Sequence, residues 1–152
     1  MTNKEDIVWL DGYLKGITAI KKGVGGFSFN ALLIKLMGAD IVKSYLDFIN
    51  KNDEAESLGI EFSPLKFIKC EPVDSWSEVV ANNIGIAFSG MESASYQGVI
   101  SQALDILDMV VPETEEKKKF LCSAEIGEAI GEYLFLQLTG DEYLVLSFLR
   151  HW

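Results

Sequence analysis

The chain is poor in the residue types that most often announce a function. Its 152 residues include two cysteines, one histidine and three prolines. Cys70 and Cys122 stand far apart and in no CxxC arrangement, so the spacing of a zinc site or a dithiol motif is missing. Two cysteines are also too few for a disulfide framework. The expectation is a pair of free, mostly buried thiols in a reducing compartment. The lone histidine, His151, is next to last, where chain ends fray. Nucleophilic catalysis by a Ser/His or Cys/His pair needs an imidazole held in place, so no catalytic residue is assigned. One histidine also argues against a multi-histidine metal centre, and there is no EF-hand pattern; no cofactor and no metal are expected.

No apolar run approaches the ~18 residues that cross a bilayer. The opening Met-Thr-Asn-Lys-Glu-Asp mixes charges, and Asp11 and Gly12 interrupt the apolar stretch that begins at Ile7, unlike a signal peptide. The expectation is a cytoplasmic protein. The 49% apolar and 24% charged residues are ordinary for a globular chain, and the length suits one domain spanning 1–152.

Periodicity predicts a helix over 4–20, with Ile7, Leu10, Leu14 and Ile17 on its apolar stripe. Gly12 and Gly16 weaken it and open a face to close approach by another backbone. After the break at 23–26, Ser28 is read as the cap of a short helix through Met37. Gly38 then closes that helix, and Asp40 caps another to about Asn50, with Ile41, Tyr45, Phe48 and Ile49 inward. The polar stretch 50–57 reads as a loop. Ile60, Phe62, Leu65, Phe67 and Ile68 are strand-like, with Pro64 marking an edge, bulge or break. Ser75 and Glu78 suggest a capping box for a short helix 76–81, and 84–88 reads as a brief strand. From Ser93, the stripe Tyr96, Val99, Ile100, Ala103, Leu107 and Val110 is the clearest helix, ended by Pro112. A charged helical turn over 113–121 and a short helix from about Ala124 follow.

The C-terminal stretches 133–138 and 143–149 read as a hairpin with Gly140-Asp141 at a type II′ turn, in preference to a helix over 126–138. Simple pairing puts Leu134, Leu136, Leu138, Tyr143 and Val145 on one face and Tyr133, Phe135, Leu144, Leu146 and Phe148 on the other. Both faces are apolar, so helices or a second subunit must cover both. The fold class expected is α+β, with a helix-rich N-terminal half packed on a small, mostly antiparallel sheet that includes this hairpin.

Gly23-Val24-Gly25-Gly26, after Lys21 and Lys22, faintly resembles a phosphate loop but lacks the GxxxxGK[ST] arrangement, so a flexible interhelical turn is the plainer reading. Glu125, Glu128 and Glu132 have helical spacing and read as a solvated helix face.

Charge carries more information. Residues 1–69 hold nine acids and nine bases, whereas 70–149 hold fourteen acids against Lys117, Lys118 and Lys119 alone. Solubility needs net charge but not this segregation. An acidic surface attracts basic proteins and repels nucleic acid and anionic lipid, so neither a membrane nor a nucleic acid is an expected partner. The expected function is that of a small acidic protein-binding domain, such as an immunity- or antitoxin-like inhibitor of a basic nuclease, rather than an enzyme. Glu71, Asp74, Glu78, Glu92, Asp105 and Asp108 are the expected contact residues. Trp76 is read as core or as an interface anchor. Two alternatives stand beside it: a subunit of a larger assembly, joined through the hairpin, and a small enzyme or ligand-binding domain using paired carboxylates in a pocket between helices and sheet.

Overall fold

The computed structural model describes residues 4–20, 26–37, 40–50, 65–88, 93–111 and 117–151. In chain order these form α1 (Lys4–Ile20), β1 (Gly26–Lys35), α2 (Ile41–Asn50), β2 (Leu65–Pro72), α3 (Trp76–Ala87), α4 (Ser93–Val110), β3 (Lys119–Ile126), β4 (Ala129–Thr139) and β5 (Glu142–His151). The strands make one antiparallel sheet in the order β1-β5-β4-β3-β2. The fold is α+β, with the C-terminal hairpin in the middle of the sheet.

Strand alternation divides the apolar side chains into two cores, one on each face of the sheet. Leu134, Leu136, Leu144, Leu146 and Phe148 project toward α1, α3 and α4 and meet Leu10, Leu14, Trp76, Val80, Ile84, Ala103 and Leu107. Tyr133, Phe135, Tyr143 and Val145 project the other way and meet Leu36, Leu65, Cys122 and Tyr45 of α2. Each fully buried Leu, Phe or Tyr contributes roughly 1.5–3 kcal/mol, so the central hairpin carries much of the fold. It is flanked by β1 and β3 and covered on both faces by this chain's own helices. Trp76, 3% exposed, is core.

The pairing expected across the hairpin is off by one residue. Thr139 pairs with Glu142, but Tyr143 then pairs with Gln137 and not with Leu138. Leu138 is therefore the extra residue of a β-bulge, and an extra residue transfers every side chain beyond it to the opposite face. Tyr143 and Val145 consequently join Tyr133 and Phe135, while Leu144 and Leu146 join Leu134 and Leu136. The Gln137 side chain holds the irregular turn: its Nε2 donates to Gly140 O (2.8 Å) and its Oε1 accepts from Lys118 N (3.2 Å). Gly127 and Gly140 open the two tight turns with positive φ, +58° and +22°. Gly131 is needed for another reason, since a Cβ there would collide with the Phe148 carbonyl of β5.

Helix α1 matches its expected bounds. Helix α2 starts as expected too: the Asp40 carboxylate accepts the Lys43 N–H at 3.0 Å. Tyr45 is buried and Ile41 and Ile49 pack beside it, but Phe48 is 57% exposed. The 28–37 stretch is not a helix. It is β1, because Phe29 and Ala31 alternate with Ser28 and Asn30 and pair along the otherwise open side of β5. The residue after the glycine run thus enters a strand, which removes the helix start a phosphate loop would need; 21–25 lie outside the described residues, as do 51–64. On α1, an added Cβ at Gly12 or Gly16 meets nothing within 4 Å, so no described backbone approaches there.

Helix α3 runs past Ala81 to Ala87, because Trp76, Val80, Asn83, Ile84 and Ala87 repeat at helical spacing and are all buried; the expected strand at 84–88 is its last turn. Ser75 caps it by backbone conformation, but its hydroxyl makes no cap bond, so the capping box does not close. Helix α4 keeps its expected start, but Lys119–Ile126 is strand, where helical turns were expected to Leu121 and from Ala124. Edge protection at β1 comes from α1: Asp11 Oδ1 accepts the Ala31 N–H at 2.8 Å while Lys15 pairs with Oδ2 at 2.7 Å. None of the described helices is long and apolar enough to cross a membrane.

The cysteines also depart from expectation. Cys70 of β2 and Cys122 of β3 are paired in register, with Cα atoms 4.1 Å apart, and form a disulfide. Residues so distant in sequence gave no hint of adjacency; β2 returns to β3 only after the α3–α4 hairpin.

Two predictions follow from this packing. Breaking the disulfide, by reduction or Cys70→Ser, releases a closed loop of 52 residues' separation and is expected to cost about 2–4 kcal/mol on the loop-closure view. Denaturant melts with and without reductant measure it, and identical midpoints would contradict it. Burial raises the phenol pKa values of Tyr45, Tyr133, Tyr13 and Tyr143, most strongly at Tyr45 beside Tyr133. A raised folded-state value means that the stability these phenols contribute is intact below the ordinary value of about 10 and is lost as pH rises through the folded values. Spectrophotometric titration should therefore show most tyrosines ionising above 10, coupled to alkaline unfolding.

Candidate functional site

Five of the six expected contact acids are among the described residues, exposed toward one end of the helix layer. Glu71 is exposed near the end of β2, Asp74 is exposed in the β2–α3 connection, and Glu78 is exposed in the first turn of α3. Asp105 and Asp108 are exposed on α4. Helices α3 and α4 form an antiparallel hairpin closed by the stacked rings of Phe88 and Tyr96 (5.8 Å). The start of α3 and the latter half of α4 therefore share an end, which brings Glu78 toward Asp105 and Asp108. Glu92 lies outside the described residues. Glu78 also sits where the helix dipole favours a carboxylate, a structural use independent of any partner.

The same topology returns lysines to that end. Because β2 pairs with β3, Lys117, just before β3, comes to the end where β2 finishes, while Lys69 stands mid-strand opposite Ser123. Lys69 Nζ pairs with Glu71 at 3.5 Å. Lys119 is buried, and its Nζ donates to the Asp74 carbonyl at 2.9 Å, pinning the entry to α3. Lys117 and Lys118 are exposed beside it. Three lysines thus stand at the acidic end, and Lys69 reaches Glu71 from mid-strand.

A second constellation occupies the opposite end of the sheet, where α3 finishes. Here β3, β4 and β5 place polar residues on the helix-facing side instead of the leucines of mid-strand. A cavity of 440 Å³ is lined by Ser123, Glu132, Arg150 and Asn83, with Ile68, Ile86 and Ile130 as apolar walls. Glu132 is half-buried, and Asn83 Nδ2 donates to its Oε1 at 3.0 Å and to the Val79 carbonyl at 2.9 Å. A buried amide on α3 thereby orients a carboxylate on β4. Glu132 also borders a neighbouring groove of 720 Å³ between α3 and α4, lined by Gly85, Tyr96 and Ile100. A third cavity, of 340 Å³, lies between α1 and β1 with Asp11 and Val8.

Each of these three cavities has one carboxylate in its lining. Paired acids in a pocket, the arrangement an acid/base enzyme would require, are therefore not brought together in them. Glu125 and Glu128 are exposed on β3 and in the following turn, so the three-acid helix face expected with Glu132 does not exist. Among the described residues no three His, Cys, Asp or Glu side chains gather around a point that could hold a metal ion. The backbone of His151 pairs with Gly26 in the sheet.

Among the described residues the geometry defines a class: a five-stranded antiparallel sheet between one helix and a three-helix layer, acidic at one end and with an arginine-lined cleft at the other. No protein-family model and no curated protein matches the chain. Sequence reading missed Asn83, Glu132 as a cleft residue, and Arg150. Their only common signal is polarity at positions flanked by apolar strand or helix residues, and the wrong period assigned to 124–132 hid it.

Asn83→Leu is expected to cost about 1–3 kcal/mol, because it leaves a half-buried carboxylate without its donor. Thermal or denaturant unfolding checks this, and a neutral or stabilising result would show that Asn83 does not hold Glu132.

Proposed function

We infer that the protein binds and blocks a basic protein partner, in the manner of an immunity- or antitoxin-like inhibitor of a nuclease. The observation that supports this most is the placement of Glu71, Asp74, Glu78, Asp105 and Asp108, all exposed, around one end of the helix layer in a chain of net charge −10. Carboxylates so placed pair with the Lys and Arg residues that a nuclease uses to hold phosphates, and they obstruct substrate entry. Long-range attraction from the net charge speeds encounter, while the interleaved Lys69, Lys117 and Lys118 set register and reject partners of the wrong pattern. Neither nucleic acid nor a membrane surface is a partner under this reading, since both demand a basic patch. A cytoplasmic setting belongs to the same reading and carries a condition: Cys70 and Cys122 would there be kept largely as thiols, whereas the closed disulfide suits an oxidising compartment.

The test is binding to a nuclease encoded beside this protein, measured by biolayer interferometry across ionic strength. The expected result is tight association at low salt, with an association rate that falls steeply as salt rises. The triple variant E78K/D105K/D108K should slow association roughly tenfold or more. Affinity independent of salt, or unchanged in the triple variant, would remove the electrostatic mechanism.

A further inference from the structure

Arg150 is the only arginine in a chain with 23 carboxylates, yet among the described residues it pairs with none of them. Among the described residues its guanidinium makes no ion pair and no side-chain hydrogen bond. It is half-buried and lines the 440 Å³ cavity. Its backbone is fixed on both sides, by Ile130 of β4 and Phe27 of β1, so the base of the side chain is held by the sheet and not by a loose chain end. A half-buried guanidinium without a described partner offers its N–H fork to an acceptor, and a carboxylate is the strongest match to that fork. In the same cavity Glu132 has one oxygen engaged by Asn83, which leaves the other as an acceptor, and the two charged groups do not bridge to each other.

We propose that this cleft binds a small carboxylate carrying an N–H donor and an apolar side chain. The carboxylate sits on the Arg150 fork, the N–H donates to Glu132, and the side chain lies against Ile68, Ile86 and Ile130. Each part answers one wall of the cavity. The planar fork of arginine matches a carboxylate in two parallel hydrogen bonds. Glu132 and the net negative charge of the chain disfavour a dianion, which excludes phosphate monoesters. The volume lies within the range of small-ligand sites. Two sources present this chemistry, a free α-amino acid and the C-terminal residue of a peptide. The first offers an ammonium to Glu132 and the second an amide N–H. The cleft lies at the opposite end of the sheet from the acidic end, so this proposal does not rest on the inhibitor reading and fails or stands independently of it.

The experiment titrates the full-length protein, ¹⁵N-labelled, with L-leucine, N-acetyl-L-leucine and L-leucinamide, following amide shifts. Saturable shifts at Ser123, Ile130 and Gly131 are expected with at least one of the two carboxylates, and none with leucinamide. Binding of leucine alone assigns a free amino acid, and binding of N-acetyl-leucine a chain terminus. R150Q should weaken binding at least tenfold, and E132Q should weaken the free amino acid more than the acetylated one. The leucinamide comparison needs no variant, so it holds even if R150Q is poorly folded. No saturable shift with either carboxylate, equal binding of leucinamide, or undiminished binding by folded R150Q would overturn the proposal.

Discussion

The structure depends on burying one hairpin on both faces. Leu134, Leu136, Leu144 and Leu146 fill the core under the three-helix layer, and Phe135, Tyr143 and Val145 fill the core under α2. A sheet buried on both sides must have two apolar faces, and β4 and β5 are the strands that supply them. Everything else is arranged around that need. β1 and β3 close the two edges of the hairpin, α1 and α4 cover one face, and α2 covers the other. The bulge at Leu138 decides which residue goes to which core. Without it, β5 would send Tyr143 and Val145 among the leucines and Leu144 and Leu146 toward Tyr45.

What was legible in the sequence was the strongly periodic part. Helix α1, the long helix α4, the Asp40 cap and the existence of the terminal hairpin all follow from local spacing or local turn chemistry, and the structure keeps them. The errors have identifiable causes. Stretch 28–37 has no helical stripe of its own; its alternation gains meaning only because β5 lacks a partner. Residues 84–88 are apolar at every position but one, a composition that does not distinguish strand from buried helix, and the four-residue step from Trp76 through Val80 to Ile84 decides for helix. The cysteine pairing depends on β2 lying beside β3, a contact across a helical hairpin that no local rule reports. The bulge is invisible for a related reason, since Thr139-Gly140-Asp141-Glu142 fits a regular two-residue turn equally well.

The candidate sites show the same division. The acidic run was evident from charge counting, and five of its six expected contact residues are exposed around one end of the helices. Counting along the chain could not show that Lys117, Lys118 and Lys119 return to the acidic end once β2 pairs with β3. The cleft at the other end was not legible. It needs Asn83 on α3, Ser123 on β3, Glu132 on β4 and Arg150 on β5, four elements whose adjacency exists only in the sheet order. Helix α3 links the two sites: Lys119 of β3 pins its entry at one, and its Asn83 holds Glu132 of β4 at the other.

The most direct test of the structure's dependence on its hairpin is the register of β4 against β5, read from methyl–methyl nuclear Overhauser effects in a Leu/Val-labelled sample. The bulged register places Leu136 beside Leu144 and Leu134 beside Leu146, and strong cross-peaks within these two pairs are the result this account predicts. Strong cross-peaks from Leu136 to Val145 in their place would mean an unbulged hairpin with its faces exchanged. The division of the molecule into two cores would then be wrong, and the two sites built on it would have no common frame.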